Sequence, residues 1–256
     1  MSVTTANRII AHDAGRRFHL WMAGVFALIA FGGFVPTYWS PVAAGRFHAA
    51  PVVHVHGVLL FSWCLLYLAQ TAWIASGRTP THRAWGTAGI ALFTAMVCSI
   101  LVTKVVNMRI DDARGFGDDG RRFAALAFCS VIMLTALFAA AIANVRKPEV
   151  HKRLMYSLMC GLMIPVFARV FATLLAPPGA DLGAPPPTFV VLGPAFVASI
   201  LIGIGWAHDW RTIGRPHKAS VYGGLAVVLV TCLIVPFSYT QTWMRVARSL
   251  QALGGS

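Results

Sequence analysis

The chain has 256 residues, 57% of them hydrophobic and only 11% charged, with a formal net charge of +13. Soluble domains carry roughly 25% charged residues, so an ordinary globular domain is excluded. The basic excess would point to nucleic acid in a soluble chain. Here the bases bracket apolar runs, which reads as contact with lipid headgroups and gives no nucleic-acid partner.

Apolar stretches of about 20 residues are what a helix needs to cross hydrocarbon. They recur at roughly 19–38, 53–75, 85–106, 123–144, 154–176, 188–207 and 219–240. The expected fold is an all-α integral membrane protein, a seven-transmembrane-helix bundle spanning 19–240. A short basic segment at 1–18 precedes it and an external tail at 241–256 follows. The first run is too long for a cleaved leader and lacks a clear small-residue cleavage site.

The ends of the runs carry a repeated signature. Arg16-Arg17-Phe18-His19, Arg78-Thr79-Pro80-Thr81-His82-Arg83, Arg146-Lys147-Pro148-Glu149-Val150-His151-Lys152 and Arg215-Pro216-His217-Lys218 each stand before an apolar run. Their histidines recur every 63–69 residues, the length of a helical hairpin used repeatedly. Interfacial anchoring explains the signature: bases on headgroups, proline opening a helix, imidazole in the amphipathic layer. If the helices converge, two of these imidazoles at equal depth can instead clamp a haem.

Placing the N-terminus inside puts twelve bases inside: Arg8, Arg16, Arg17, Arg78, Arg83, Arg146, Lys147, Lys152, Arg153, Arg211, Arg215 and Lys218. Eight lie outside, and Arg169 falls within a run. The positive-inside rule therefore favours N-in, C-out. The stretch 107–122 reads as a long, solvated external loop, and the proline-rich 177–187 as a stiff one. Of eight tryptophans, only Trp63 falls well inside a run. Pro165, Pro194 and Pro236 interrupt the last three runs. Gly193, Ala198, Gly203 and Gly205 suit close helix packing.

Chemistry-bearing residues are few. The second run opens with His54-Val55-His56-Gly57, and neutral imidazoles are good ligands for haem iron, copper and zinc. Residues two apart on a helix point about 200° apart, so both cannot face one metal. The pair reads either as interfacial aromatics or as a ligand site using one ring. Arg169 inside the fifth run has no carboxylate partner, because no acid lies within any run, and an intramembrane arginine is a functional candidate. Lys104 and Asn107 fall at a similar depth. With His54 and His56 they outline an externally open polar pocket for an anionic or quinone-like ligand.

Met155, Met159 and Met163 form a stripe that reads as core filling or a thioether ladder for copper. His12, His208 and Asp209 read as loop residues; Gln70, Ser99 and Thr103 read as interhelical hydrogen bonders. Five cysteines sit within runs and form no CxxC, so they imply no disulfide framework. No nucleophile–base set, Walker loop, dinucleotide fingerprint or HExxH occurs, so no catalytic residue is assigned.

The blocks His54…Gly57…Gln70…Arg78…His82-Arg83…Gly86 and His151-Lys152-Arg153-Leu154-Met155…Pro165…Arg169 resemble a family of bacterial multi-span membrane proteins of unknown function. The likeness covers roughly 54–170 and implies a bacterial cytoplasmic membrane. A fainter likeness to cytochrome b561-type proteins implies b-type haem held by histidines of neighbouring helices. The fourth run carries no histidine, so one haem fits better than two. Two functions follow as expectations. One is a redox or cofactor-binding protein using His54, His56, His82 or His151 as ligands, with Arg169 or Lys104 neutralising a propionate. The other is a non-enzymatic binder or transporter of an anionic or lipid-like molecule.

Overall fold

A computed structural model describes residues 3–177, 179–181 and 183–253, with side chains from Gly15 onward. The elements are α1 (Val3–Gly33), a π-helical turn (Val35–Trp39), α2 (Ser40–Ala43), α3 (Pro51–Ala75), α4 (Thr79–Ala113) and α5 (Gly117–Ala143). They continue with α6 (Pro148–Leu175), a 3₁₀ turn (Thr188–Val191), α7 (Leu192–Ile213), α8 (Lys218–Ser238) and α9 (Gln241–Ala252). Seven segments are long and apolar enough to cross a membrane: Gly15–Ala43, α3, α4, α5, α6, Thr188–Ile213 and α8. The protein is a multi-pass, all-helical membrane bundle. Its near end carries the start of the first span and the α3–α4, α6–α5 and α7–α8 connections; the far end carries the rest.

Local chemistry explains the boundaries. Proline occupies the first turn of α3, α4 and α6, where a missing N–H costs nothing. Gly214 closes α7 in the left-handed conformation, φ 74°, with its N–H on the Trp210 carbonyl. Apolar side chains such as Leu28, Leu65, Ile132, Phe196 and Leu233 point outward, as a lipid-facing surface requires.

The spans pack in two groups that share α5 and α6. Helices α1, α3, α4, α5 and α6 close a ring in that order, and the backbones of α3 and α4 stay apart from α6 across it. Helices α7 and α8 pack on α6 on its other side, and α8 also packs on α5. Aromatic side chains plug the ring. Phe93 stacks on Phe138 with centroids 3.9 Å apart and planes at 16°, and Trp63 lies 5.3 Å from Phe93. Phe26 and Tyr67 continue the plug. Met159 and Met163 are fully buried core residues on α6.

Several expectations are corrected. The 107–122 loop shrinks to residues 114–116, because α4 runs to Ala113 and α5 starts at Gly117. Ion pairs replace solvation there: Arg121 meets Asp112 at 2.7 Å and Asp118 at 2.9 Å. The 1–18 segment is helical from Val3, so His12 lies on a helix, with its side chain outside the described residues. The 241–256 tail is largely the amphipathic helix α9, whose Trp243, Met244 and Ala247 are buried. Pro194 sits in the first turn of α7 and interrupts nothing, and Gly203 faces open space.

The structure leaves the two termini at opposite ends, and the basic bias favours the near end inside. Reporter fusions in the 114–116 turn and after α9 are therefore expected to report the external side. A cytoplasmic signal at either would reverse the orientation.

Candidate functional site

The near end holds two polar assemblies. In the first, His82 on α4 and His151 on α6 approach to 6.4 Å between ring centroids, with planes at 77°. The Nδ1 of His151 lies 2.9 Å from the carbonyl oxygen of Ala141 at the end of α5. Arg83 is close enough for its charge to act on His82.

The second assembly joins α6, α7 and α8. Arg153 is buried and donates from Nε to Asp209 Oδ1 at 2.9 Å and from Nη2 to the same oxygen at 2.6 Å. Asp209, only 2% exposed, also accepts from the Ser220 hydroxyl at 2.6 Å and the His217 backbone N–H at 3.1 Å. Glu149 pairs with Arg153 from one turn earlier. This overturns one expectation, since Asp209 lies on α7 and not in a loop; the helices extend past the acid-free apolar runs and carry acids at their ends. Asp111, in α4, is a second buried acid. Hydropathy ends a run at its first charges, whereas a helix continues wherever neighbours satisfy those charges.

The repeated histidines thus diverge. His217 caps α8 by accepting the Ala219 N–H at its Nδ1, 3.1 Å away. Burial first, then the Arg153 charge, lowers its pKa, which keeps the ring in the neutral form that an acceptor needs. His19 packs edge-on to Tyr156 at 5.9 Å, and His208, on α7 rather than in a loop, stacks on Phe18 at 3.8 Å.

At the far end, His54 and His56 separate as their spacing demands. The Tyr38 hydroxyl meets His54 Nδ1 at 3.0 Å, while His56 Nδ1 meets the Ser99 hydroxyl at 3.1 Å. Each ring serves a different neighbour, so they do not form one metal site. No group of three or more His, Cys, Asp or Glu able to hold a metal occurs among the described residues. Arg169, toward the C-terminal end of α6, is exposed and makes no ion pair among the described residues. The Lys104 ammonium lies 4.5 Å from the centre of the Phe123 ring. Asn107 lies on the same face of α4 as Ser99 and Thr103 by its spacing. The participation of the π-helical turn, through Thr37 and Tyr38, was not legible beforehand; Pro36 is the only local signal.

The two ends are separate sites. His151 and Arg169 lie eighteen residues apart on α6, about 27 Å at 1.5 Å per residue. Arg169 or Lys104 can therefore neutralise a propionate only of a cofactor at the far end, not of one held by His82 and His151.

Buried polar atoms without partners occur along the ring helices and the π-helical turn: His19 Nδ1, Thr37 Oγ1, Trp63 Nε1, Gln70 Oε1, His82 Nδ1, Thr103 Oγ1 and Arg122 Nε. Such groups in a native structure require an explanation, commonly a bound molecule or water. A cleft of about 310 Å³ beside α9, lined by Arg109, Arg121 and Arg248, holds none of them. Its bases are already engaged by Asp112, Asp118 and Gln251. No family model matches the chain, nor does any curated protein or solved structure, so the residues themselves carry the functional argument.

Proposed function

We propose that this is a redox or cofactor-binding protein of the bacterial cytoplasmic membrane that holds a single b-type haem, or a metal ion, between His82 and His151. The 6.4 Å spacing of the two rings carries the reading. Two imidazoles bound on opposite sides of one metal, each at about 2.0 Å, set their ring centres about 6 Å apart. Rotation about the metal–nitrogen bonds accommodates the angle between the planes.

The surroundings fit the group. A His151 ring N–H donated to the Ala141 carbonyl fixes the tautomer and leaves the other nitrogen's lone pair free, the usual support for a metal-binding histidine. Arg78 and Arg83, without an acid partner among the described residues, stand at the same end to meet propionates. A bound haem supplies one-electron transfer. The chain's part is to orient the two imidazoles and, through Trp63, Phe93 and Phe138, to exclude water from the middle of the ring.

The purified protein is expected to show a Soret band and a sharp α-band on reduction. His82→Ala and His151→Ala are each expected to abolish both, while His54→Ala and His56→Ala retain them. A colourless, metal-free protein that takes up no added haemin removes the reading.

A further inference from the structure

We propose that the far end of the ring is a second, independent site, which binds an anionic head group, carboxylate or phosphate, carried on an apolar body. Arg169 is its clamp, and Lys104, His56 and Thr103 lie at the same end of the ring. The inference does not rest on the haem reading, because the two sites lie at opposite ends of α6.

The first support is Arg169 itself. Among the described residues no acid lies within 4.0 Å of it and its guanidinium makes no hydrogen bond. A guanidinium in a membrane span is costly and is retained where it pairs or lines a wet cavity. Here every protein partner is missing, although α6 spends Arg153, sixteen residues earlier, in a fully paired cluster. The contrast on one helix separates a structural arginine from one left available.

The second support is the set of groups at the same end of the ring. Lys104 brings a second positive charge, also without an ion pair within 4.0 Å; the Asp111 charge reaches it only from beyond that distance. The Thr103 side chain is 8% exposed, and its hydroxyl is buried without a partner. The Thr37 hydroxyl is likewise unpartnered, within a π-helical turn, a distortion frequent at functional sites. That turn packs on α6 near Arg169, where Gly33 faces Val166 and Val170. Two cations without an ion pair and two spare hydroxyl donors lie at one end of the ring. This donor set matches an oxyanion, and the aromatic neighbours Tyr38, Phe47 and Phe123 suit the apolar part of an amphiphile. A non-enzymatic binder or a transporter would both use such a site.

The experiment uses the full chain, as purified, in phosphatidylcholine nanodiscs. Bound adducts are counted by native mass spectrometry with decanoate, inorganic phosphate or added phosphatidylglycerol. At least one probe is expected to bind with a defined stoichiometry. Phosphatidylglycerol alone identifies a lipid as the source of the head group; decanoate or phosphate identifies a free anion. Arg169→Gln is expected to weaken binding about tenfold or more, the loss of one charge-assisted bond. Arg169→Lys, which keeps the charge but not the planar fork, is expected to fall between. A wild-type measurement guards against misfolded variants: the bound probe should protect Arg169 from phenylglyoxal, read on its peptide. Failure of all three probes to bind, or binding and modification of Arg169 that ignore each other, overturns the proposal.

Discussion

Asp209→Ala is expected to cost about 3–5 kcal/mol of folding stability, the largest loss of any single polar substitution in this chain, because it removes the one buried carboxylate of the cluster and leaves the buried Arg153 with the half-exposed Glu149 alone. Arg153 and Asp209 are 5% and 3% exposed in their side chains, so water cannot replace the lost carboxylate. Two helices and a connection depend on that carboxylate at once: α6 through Arg153, α8 through Ser220, and the α7–α8 connection through the His217 N–H. Replacing both partners by apolar residues, Arg153→Met with Asp209→Leu, is expected to recover much of the loss, since no charge then remains buried. Denaturation in mixed micelles, followed by circular dichroism, measures both. A single variant within about 1 kcal/mol of wild type would show that the cluster is solvated and carries little.

The second large effect is steric. Gly223 and Gly224 are adjacent on α8 and face two different helices. A Cβ at Gly223 would stand 2.5 Å from Ser157 Oγ and 2.8 Å from Ser157 Cβ; at Gly224 it would stand 2.5 Å from Ile202 Cγ2. Without a hydrophobic drive between helices in lipid, such close approach is what holds spans together. Gly223→Ala is expected to cost about 1–3 kcal/mol, and Gly223→Leu to separate α8 from α6. Gly203→Ala, where nothing lies within 4 Å, is the matched control and is expected to be neutral or slightly stabilising. Equal stability of the two alanine variants in the same micelle titration would refute the close-packing account.

Several of the far-end residues stood out before the fold. Arg169 stood out as a base well inside an apolar run, and the two-residue spacing of His54 and His56 already required their separation. The hydroxyls at Thr37 and Thr103 did not stand out, since isolated threonines in a span are ordinary. Only their lack of partners, visible once the neighbours are placed, marks them. The near end was harder. The four repeated histidines look alike in sequence, yet His82 and His151 meet each other, His217 caps a helix, and His19 lies among Phe18, Tyr156 and His208.

The sequence by itself determined the number of spans, their membrane-crossing lengths and the asymmetry of charge between the two ends, because hydropathy and basic flanks act locally on each segment as it partitions between water and lipid. The tertiary structure alone decided where helices stop and which polar groups meet. Asp209 falls beyond the apolar run but stays helical and buried, because Arg153, fifty-six residues away in the chain, satisfies it. Residues 107–113 look like loop and are helix, because Arg121 and Gln251 meet Asp112. A charge within reach of lipid is expelled unless a partner is placed beside it, and only the packing of distant helices brings that partner.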